Sequence, residues 1–264
     1  MELDNKHNFS LKNKIALVTG GTGHFGERIT IALAKAGAKV YVNSRDKKKV
    51  AYLVKKNIDN DLLVKPAVFN ITNLDEIKEF YANFEEDSLD IIVNNAYSGD
   101  SGTIETSKPQ NYRDSFEISI VATHNLFKLG LPLLKQARLL RGDASIINIA
   151  SMYGVVSPDL RIYSTKSSSN PPFYGVAKAA LIHWTKYAAC EFGTEGIRVN
   201  SISPGAFPTK KVDNELVKKI IKKVPLGRIG TPEEVVGPVL FLASNNSSYI
   251  TGANIPVDGG WTAW

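Results

Sequence analysis

Short apolar runs alternate with stretches of helical periodicity along the whole chain, and this alternation restricts the fold to a parallel sheet with crossover helices. The runs are Ile15 to Thr19, Lys39 to Asn43, Leu63 to Phe69, Asp90 to Asn94, Ala144 to Ala150, Arg198 to Ser203 and Ile255 to Val257. Between them the pattern predicts helices over Phe25 to Ala36, Asp46 to Ile58, Asn73 to Phe84, Tyr112 to Ala137, Tyr174 to Phe192 and Pro232 to Ala243. The runs are almost continuously apolar, as strands covered on both faces are. No stretch reads as an interdomain linker and no repeat is visible, so residues 1–264 are expected to form one doubly wound α/β domain. Its sheet is expected to have seven parallel strands with helices on both faces. Ser157 to Phe173 and Pro204 to Val224 break the alternation and are expected as surface loops beside a site.

Composition removes several classes. Hydrophobic residues make up 43% and charged residues 22%, which excludes a disordered or collagen-like chain. The single cysteine, Cys190, cannot close an intramolecular disulfide and has no ligand cluster near it in sequence. A reducing compartment, a buried packing role for the thiol and no bound metal are therefore expected. The opening MELDNKHNFSLKNK is charged throughout, and no later apolar run reaches membrane-spanning length, so a cytoplasmic protein without membrane contact is expected. The net charge of +6 suits nucleic acid, an acidic membrane surface or a phosphorylated small ligand equally.

Directly after the first run comes TGGTGHFG, Thr19 to Gly26, opening into a predicted helix. Gly21, Gly23 and Gly26 satisfy G-x-G-x-x-G, whose glycines permit a tight turn, close approach of backbone to pyrophosphate, and close helix–strand packing. The helix N-terminus adds unpaired N–H groups and partial positive charge. A dinucleotide site is expected, with Gly20, Gly21, Gly23, His24, Phe25 and Gly26 as its phosphate cradle. After the second run, Ser44 stands where an acid would hold a free ribose 2′-hydroxyl, and Arg45 follows it. The pair suits the 2′-phosphate of NADP, which Arg45 can contact bidentately while Lys47 to Lys49 add positive potential. Asp46 is the rival acid that would select NAD; we read it as the N-cap of the next helix.

Ser151 follows the fifth run in NIASMYG, and YGVAK places Tyr174 and Lys178 four apart on one helical face. A tyrosine phenol has an ordinary pKa near 10, so proton transfer near neutrality needs a cation beside it, at about 1.36 kcal/mol per unit lowered. Lys178 is placed to be that cation, and Ser151 to hydrogen-bond a substrate oxygen.

Taken in this order, the motifs resemble the short-chain dehydrogenase/reductase family, and the resemblance covers almost the whole chain. NNAY (Asn94 to Tyr97) is similar to that family's NNAG, NSISPGAFPT (Asn200 to Thr209) to its PG motif, and PLGRIGTPEEV with the later SSYITGANIPVDGG to its C-terminal helix and last strand. The resemblance implies a Rossmann domain with Tyr174 as acid/base, Lys178 lowering its pKa and holding the nicotinamide ribose, and Ser151 orienting the carbonyl. It also implies cofactor contacts from Asn70, Ile71, Asn95, Ala96, Pro204, Gly205 and Thr209. A homodimer through the helices containing Tyr112 and Tyr174, or a homotetramer with a contribution from the terminal WTAW, follows from the same resemblance.

The chain departs from the family pattern in four places. His24 replaces the middle glycine of T-G-x-x-x-G-x-G, so the loop matches the T-G-x-x-G-x-x-G of sugar-nucleotide-modifying relatives, whose extra substrate domain is lacking. Asn70 stands where an aspartate often contacts adenine, and Tyr97 replaces the glycine of NNAG. Ser119 falls where many relatives carry a catalytic asparagine that supports a proton-relay water, which puts that relay in question. Ser151 and Tyr174 are 23 positions apart, more than the family usually shows, and the extra SPDLRIYSTKSSSNPPF is expected over the substrate pocket.

The leading expectation is an NADP(H)-dependent oxidoreductase moving hydride between nicotinamide and a carbonyl or secondary alcohol of a polar, sugar-like small molecule. Its rivals are a catalytically silent cofactor-binding scaffold or sensor and a sugar dehydratase or epimerase that regenerates its cofactor. Nucleic-acid binding ranks last, because no recognition motif accompanies the basic residues. In Val212 to Val224 the apolar Leu216, Val217, Ile220, Ile221 and Val224 recur at helical spacing, flanked by Lys218, Lys219, Lys222 and Lys223 and preceded by Lys210 and Lys211. Two readings stay open: a surface helix with solvated lysines, or a lid whose lysines hold an anionic substrate.

Overall fold

Successive strand residues leave to opposite faces, and in this chain both faces find helices. The computed structural model describes residues 9–209 and 212–264; Lys210 and Lys211 lie outside the described residues. The strands are β1 (Ile15–Val18), β2 (Lys39–Asn43), β3 (Val64–Ala67), β4 (Ile91–Asn94), β5 (Ala144–Ile149), β6 (Ile197–Pro204) and β7 (Asn254–Val257). They form one parallel sheet in the order β3-β2-β1-β4-β5-β6-β7. The helices are α1 (Gly26–Lys35), α2 (Lys47–Ile58), α3 (Leu74–Ala82), α4 (Pro109–Phe116), α5 (Ala122–Arg141), α6 (Pro172–Phe192), α7 (Asn214–Ile221) and α8 (Val236–Ala243). Among the described residues no helix is long and apolar enough to cross a membrane.

Ala16 and Val18 of β1 join a core with Ile29 and Leu33 of α1 and Val239 and Leu242 of α8, whereas Ile15 and Leu17 join Ile77 of α3 and Leu126 and Leu134 of α5. The strand order reverses between β1 and β4, and that reversal opens a crevice at their carboxyl ends. Asp46 and Asn73 start α2 and α3 as N-caps, each accepting two backbone N–H groups. At the opposite end of the sheet, Arg198 grips Asp143 with two bonds of 2.9 Å and donates to Ser247 Oγ at 2.8 Å. Lys14 lies 3.6 Å from the same carboxylate, and all three side chains are largely buried. The two outer strands each carry a proline, Pro66 opposite Val42 and Pro256 opposite Ser203.

Two expectations are corrected. The helix predicted over Tyr112 to Ala137 is a longer helical run interrupted by a π turn, Glu117–Val121, between α4 and α5. Apolar periodicity continues through such a turn, so it leaves no mark in the pattern, yet it turns Ser119 inward as the one buried residue of the segment. Cys190 is exposed rather than packed, because α6 buries the preceding Ala188 and Ala189 and the next position rotates out to solvent.

Candidate active site

The crevice is a cleft of about 510 Å³ lined by the glycine loop, the ends of β2 and β4, the segment after β3, and the π turn. Gly20, Gly23, His24, Phe25, Ser44, Arg45, Asn70, Ile71, Asn95 and Ala96 all line it. Gly21 and Gly26 stand behind the loop, and a Cβ on Gly26 would run into the Gly20 carbonyl oxygen, so only glycine lets α1 come this close. No side chain caps the N-terminus of α1; Glu27 N donates to the Gly23 carbonyl at 3.1 Å, and the neighbouring first-turn N–H groups of Gly26 and Arg28 are open to a ligand. Asn95 fastens the loop to β4: its Nδ2 donates to the Thr19 and Gly20 carbonyls at 3.0 and 3.1 Å.

At the end of β2 the two acid/base readings separate. The Asp46 carboxylate accepts from Lys48 N and Lys49 N at 3.0 and 3.1 Å, and these bonds together with the nearby lysine charges hold it below the usual carboxylate range. Ser44 and Arg45 face the cleft and Asp46 is not among its lining residues. The donor set, a loop of backbone N–H groups with an arginine farther along the cleft, fits the anionic pyrophosphate of a nicotinamide dinucleotide.

Ser151 stands two residues beyond β5 and Tyr174 lies in the first turn of α6. Ser151 Oγ accepts from Tyr153 N at 3.1 Å, and the Ser151 hydroxyl lies near enough to the Tyr174 phenol to influence its ionisation. Lys178 Nζ donates to the Ile149 carbonyl at 2.7 Å and stands 5.7 Å from the centre of the Tyr174 ring. Burial brings the Lys178 pKa down to about 8. Burial also raises the Tyr174 phenol, the Ser151 hydroxyl opposes that, and neighbouring Tyr97 adds to it. Tyr97 packs edge-on to Tyr174 at 4.7 Å and lies 5.2 Å from Lys178 Nζ, so the residue in the NNAG glycine position joins Tyr174 and Lys178 to the cleft.

Ser119 is buried and its hydroxyl has no partner among the described residues. Pro204 closes β6, and Gly205 is held against Asp258, whose backbone a Cβ there would meet. Neither they nor Thr209 line the cleft, but Phe207 stacks edge-on to Phe25 at 5.2 Å and so brings this segment to the glycine loop. Thr72, Ser98, Asp114 and Glu117 also line the cleft. Sequence reasoning misses them, since nothing distinguishes such side chains from ordinary solvent-facing ones.

The extra segment between Ser151 and Tyr174 contributes Ile162 and Tyr163 to an apolar cluster with Met152, Ile220, Val224 and Trp261. Asp159 ties this segment to the end of α7 through Lys223, whose ammonium also lies 5.7 Å from the Trp261 ring. Lys218 pairs with Glu215 at 2.8 Å, and Lys218, Lys219 and Lys222 are exposed.

The family model described as enoyl-(acyl carrier protein) reductase matches residues 23–262. The chain is 31% identical to a 3-oxoacyl-[acyl-carrier-protein] reductase of Thermotoga maritima, over 95% of this chain and 98% of that one. A gluconate 5-dehydrogenase from Burkholderia cenocepacia, solved with NADP and tartrate, superposes with a TM-score of 0.86 at 26% identity, covering 97% and 98% of the two chains. A short-chain dehydrogenase from Leptospira borgpetersenii with bound NAD+ superposes with a TM-score of 0.84 at 32% identity, covering 97% and 96%.

Proposed function

Because the chain belongs to the short-chain dehydrogenase/reductase family, whose members are NAD(P)-dependent oxidoreductases acting on CH–OH or ketone groups, we propose that this one prefers NADP(H) and acts on a small polar, hydroxylated substrate. The observation that carries the cofactor choice is the division of labour after β2: Asp46 is spent on capping α2, while Ser44 and Arg45 face the cleft. A carboxylate at the ribose would repel a 2′-phosphate, and a guanidinium there binds it bidentately. The polar substrate is supported by the likeness to the gluconate 5-dehydrogenase that was solved with NADP and tartrate.

The cofactor's nicotinamide supplies or accepts the hydride. The protein's own residues handle the oxygen. Ser151 Oγ donates to the substrate oxygen and holds it beside Tyr174, whose hydroxyl gives up its proton as the carbonyl becomes an alcohol and takes one in the reverse direction. Lys178, buried close to Tyr174, stabilises the phenolate left behind. All three groups are in place, which weighs against a silent scaffold.

The test is calorimetric titration of NADPH and NADH, followed by a screen of sugar acids, hydroxy acids, hydroxysteroids and β-keto thioesters for NADPH- or NADP+-dependent turnover. NADPH is expected to bind about tenfold or more tightly, as a charge-assisted contact gives. Equal affinities refute the preference, and turnover confined to thioesters refutes the substrate class.

A further inference from the structure

Among the described residues two buried side-chain polar atoms have no hydrogen-bond partner, Asn94 Oδ1 and Ser119 Oγ. They belong to different elements, β4 and the π turn, yet both residues line one small cavity together with Lys178. Buried polar atoms are almost always paired, so two in one place need an explanation.

The orientation of Asn94 is dictated by a chain of hydrogen bonds behind it. Thr185 Oγ1 donates its only proton to the Leu181 carbonyl at 2.8 Å, so it accepts from Asn148 Nδ2, also at 2.8 Å. Asn148 must then present Oδ1 to Asn94, which donates to it through Nδ2 at 2.8 Å. Flipping either amide would set like groups against each other. Asn94 Oδ1 is thereby left as an acceptor at the end of a polar chain that crosses from α6 through β5 to β4.

The cavity measures about 10 Å³, room for one water and no more. Lys178 Nζ gives one of its three protons to Ile149 O and keeps two. We propose that this cavity is a water site, in which one water donates to Asn94 Oδ1, shares a hydrogen bond with Ser119 Oγ and accepts from Lys178 Nζ, making Asn94 and Ser119 positioning residues for the lysine. The ligand is water because the partners include an acceptor, a hydroxyl and a cation around a volume too small for anything else. The place of the missing asparagine is thus taken by a shorter side chain plus a water. The groups facing Lys178 are the Ile149 carbonyl of β5, the Tyr174 phenol of α6 and the Tyr97 ring beyond β4, and burial is the only influence resolved on its titration.

The importance of Lys178 rests on the function proposed above; the water site does not. Three readouts therefore test it. A crystal structure at a resolution that shows ordered water is expected to place one within hydrogen-bond distance of Asn94 Oδ1, Ser119 Oγ and Lys178 Nζ, and a dry cavity overturns the site. Ser119→Ala is expected to lower the thermal midpoint by about 2 to 4 °C. An unchanged or raised midpoint, the result of deleting an unpaired buried hydroxyl, overturns it as well. With an alcohol substrate and NADP+, the pH midpoint of kcat/KM is expected to rise by about one unit in Ser119→Ala. The less firmly held ammonium keeps its charge less well, and the Tyr174 phenolate loses support. A lowered stability with an unmoved pH midpoint would reduce Ser119 to a structural residue. Should no alcohol or carbonyl turn over, the proposed function fails, while the first two readouts still judge the water site.

Discussion

Tyr174 and Lys178 are one helical turn apart, and burial acts on both. Both are drawn toward their neutral forms by burial, the phenol's pKa raised and the ammonium's lowered to about 8. The cation is therefore still largely present at neutral pH, where the proton transfer proposed for the phenol needs it. Tyr174→Phe deletes only the hydroxyl and is expected to cut kcat by about 10² to 10⁴ while calorimetric NADPH affinity stays near wild type. A variant that keeps most of its turnover would remove the tyrosine from the chemistry. Arg45→Ala is expected to weaken NADPH binding about ten- to a hundredfold and leave NADH nearly unchanged; equal losses for both cofactors would refute the 2′-phosphate contact. The placing of Tyr174 and Lys178 one turn apart and the capping role of Asp46 were readable in advance because each depends on spacing within one element and its immediate boundary. The unpaired hydroxyl of Ser119 was not, since it depends on which atoms of β4, the π turn and α6 face one another.

At the scale of elements, the extra segment before Tyr174 and helix α7 behave as one piece. Their apolar side chains share a cluster, and Asp159 joins them through Lys223. This arrangement favours the surface-helix reading of α7 over the anion-holding lid: Lys223 is committed to Asp159, Lys218 to Glu215, and Lys219 and Lys222 face outward. Hydrogen bonds from Arg161 and then Lys223 hold the Asp159 carboxyl well below its usual range. A carboxyl depressed in the folded state contributes fully above the unfolded pKa near 3.9 and loses its contribution only as pH falls through the folded value, so the tie persists throughout the neutral range. Asp159→Asn is expected to raise KM roughly two- to fivefold without changing NADPH affinity and to hasten trypsin cleavage at the α7 lysines. Cleavage at the wild-type rate would show that α7 is held by its apolar face alone. The amphipathic pattern of α7 was visible in the sequence; the partner of Lys223, just beyond the helix, lies 64 positions away and left no local signal.

For the molecule as a whole, the sheet is chemically polarised. The carboxyl ends of its strands carry the cleft, while the amino ends are locked by Arg198, Asp143 and Lys14. Asp143→Ala strands two mostly buried cations, a change that typically costs about 3 to 5 kcal/mol. A fall of roughly 6 to 20 °C in thermal midpoint is expected, with kcat at low temperature preserved; a fall under about 2 °C would show the network to be solvated. The seven strands were legible because parallel strands buried on both faces leave long apolar runs, whereas their order, and with it the reversal point, leaves no mark in those runs. The π turn and the exposure of Cys190 were not, because apolar spacing records the average course of a helix and not one turn of it. The prolines of β3 and β7 bear on how the molecule meets others of its kind. Each sits inside an outermost strand and removes an N–H there, so neither border offers an unbroken row of donors to a passing chain. Growth of a fibril proceeds by adding one strand after another to such a border, and here the first added strand meets a gap in the donor row on either side.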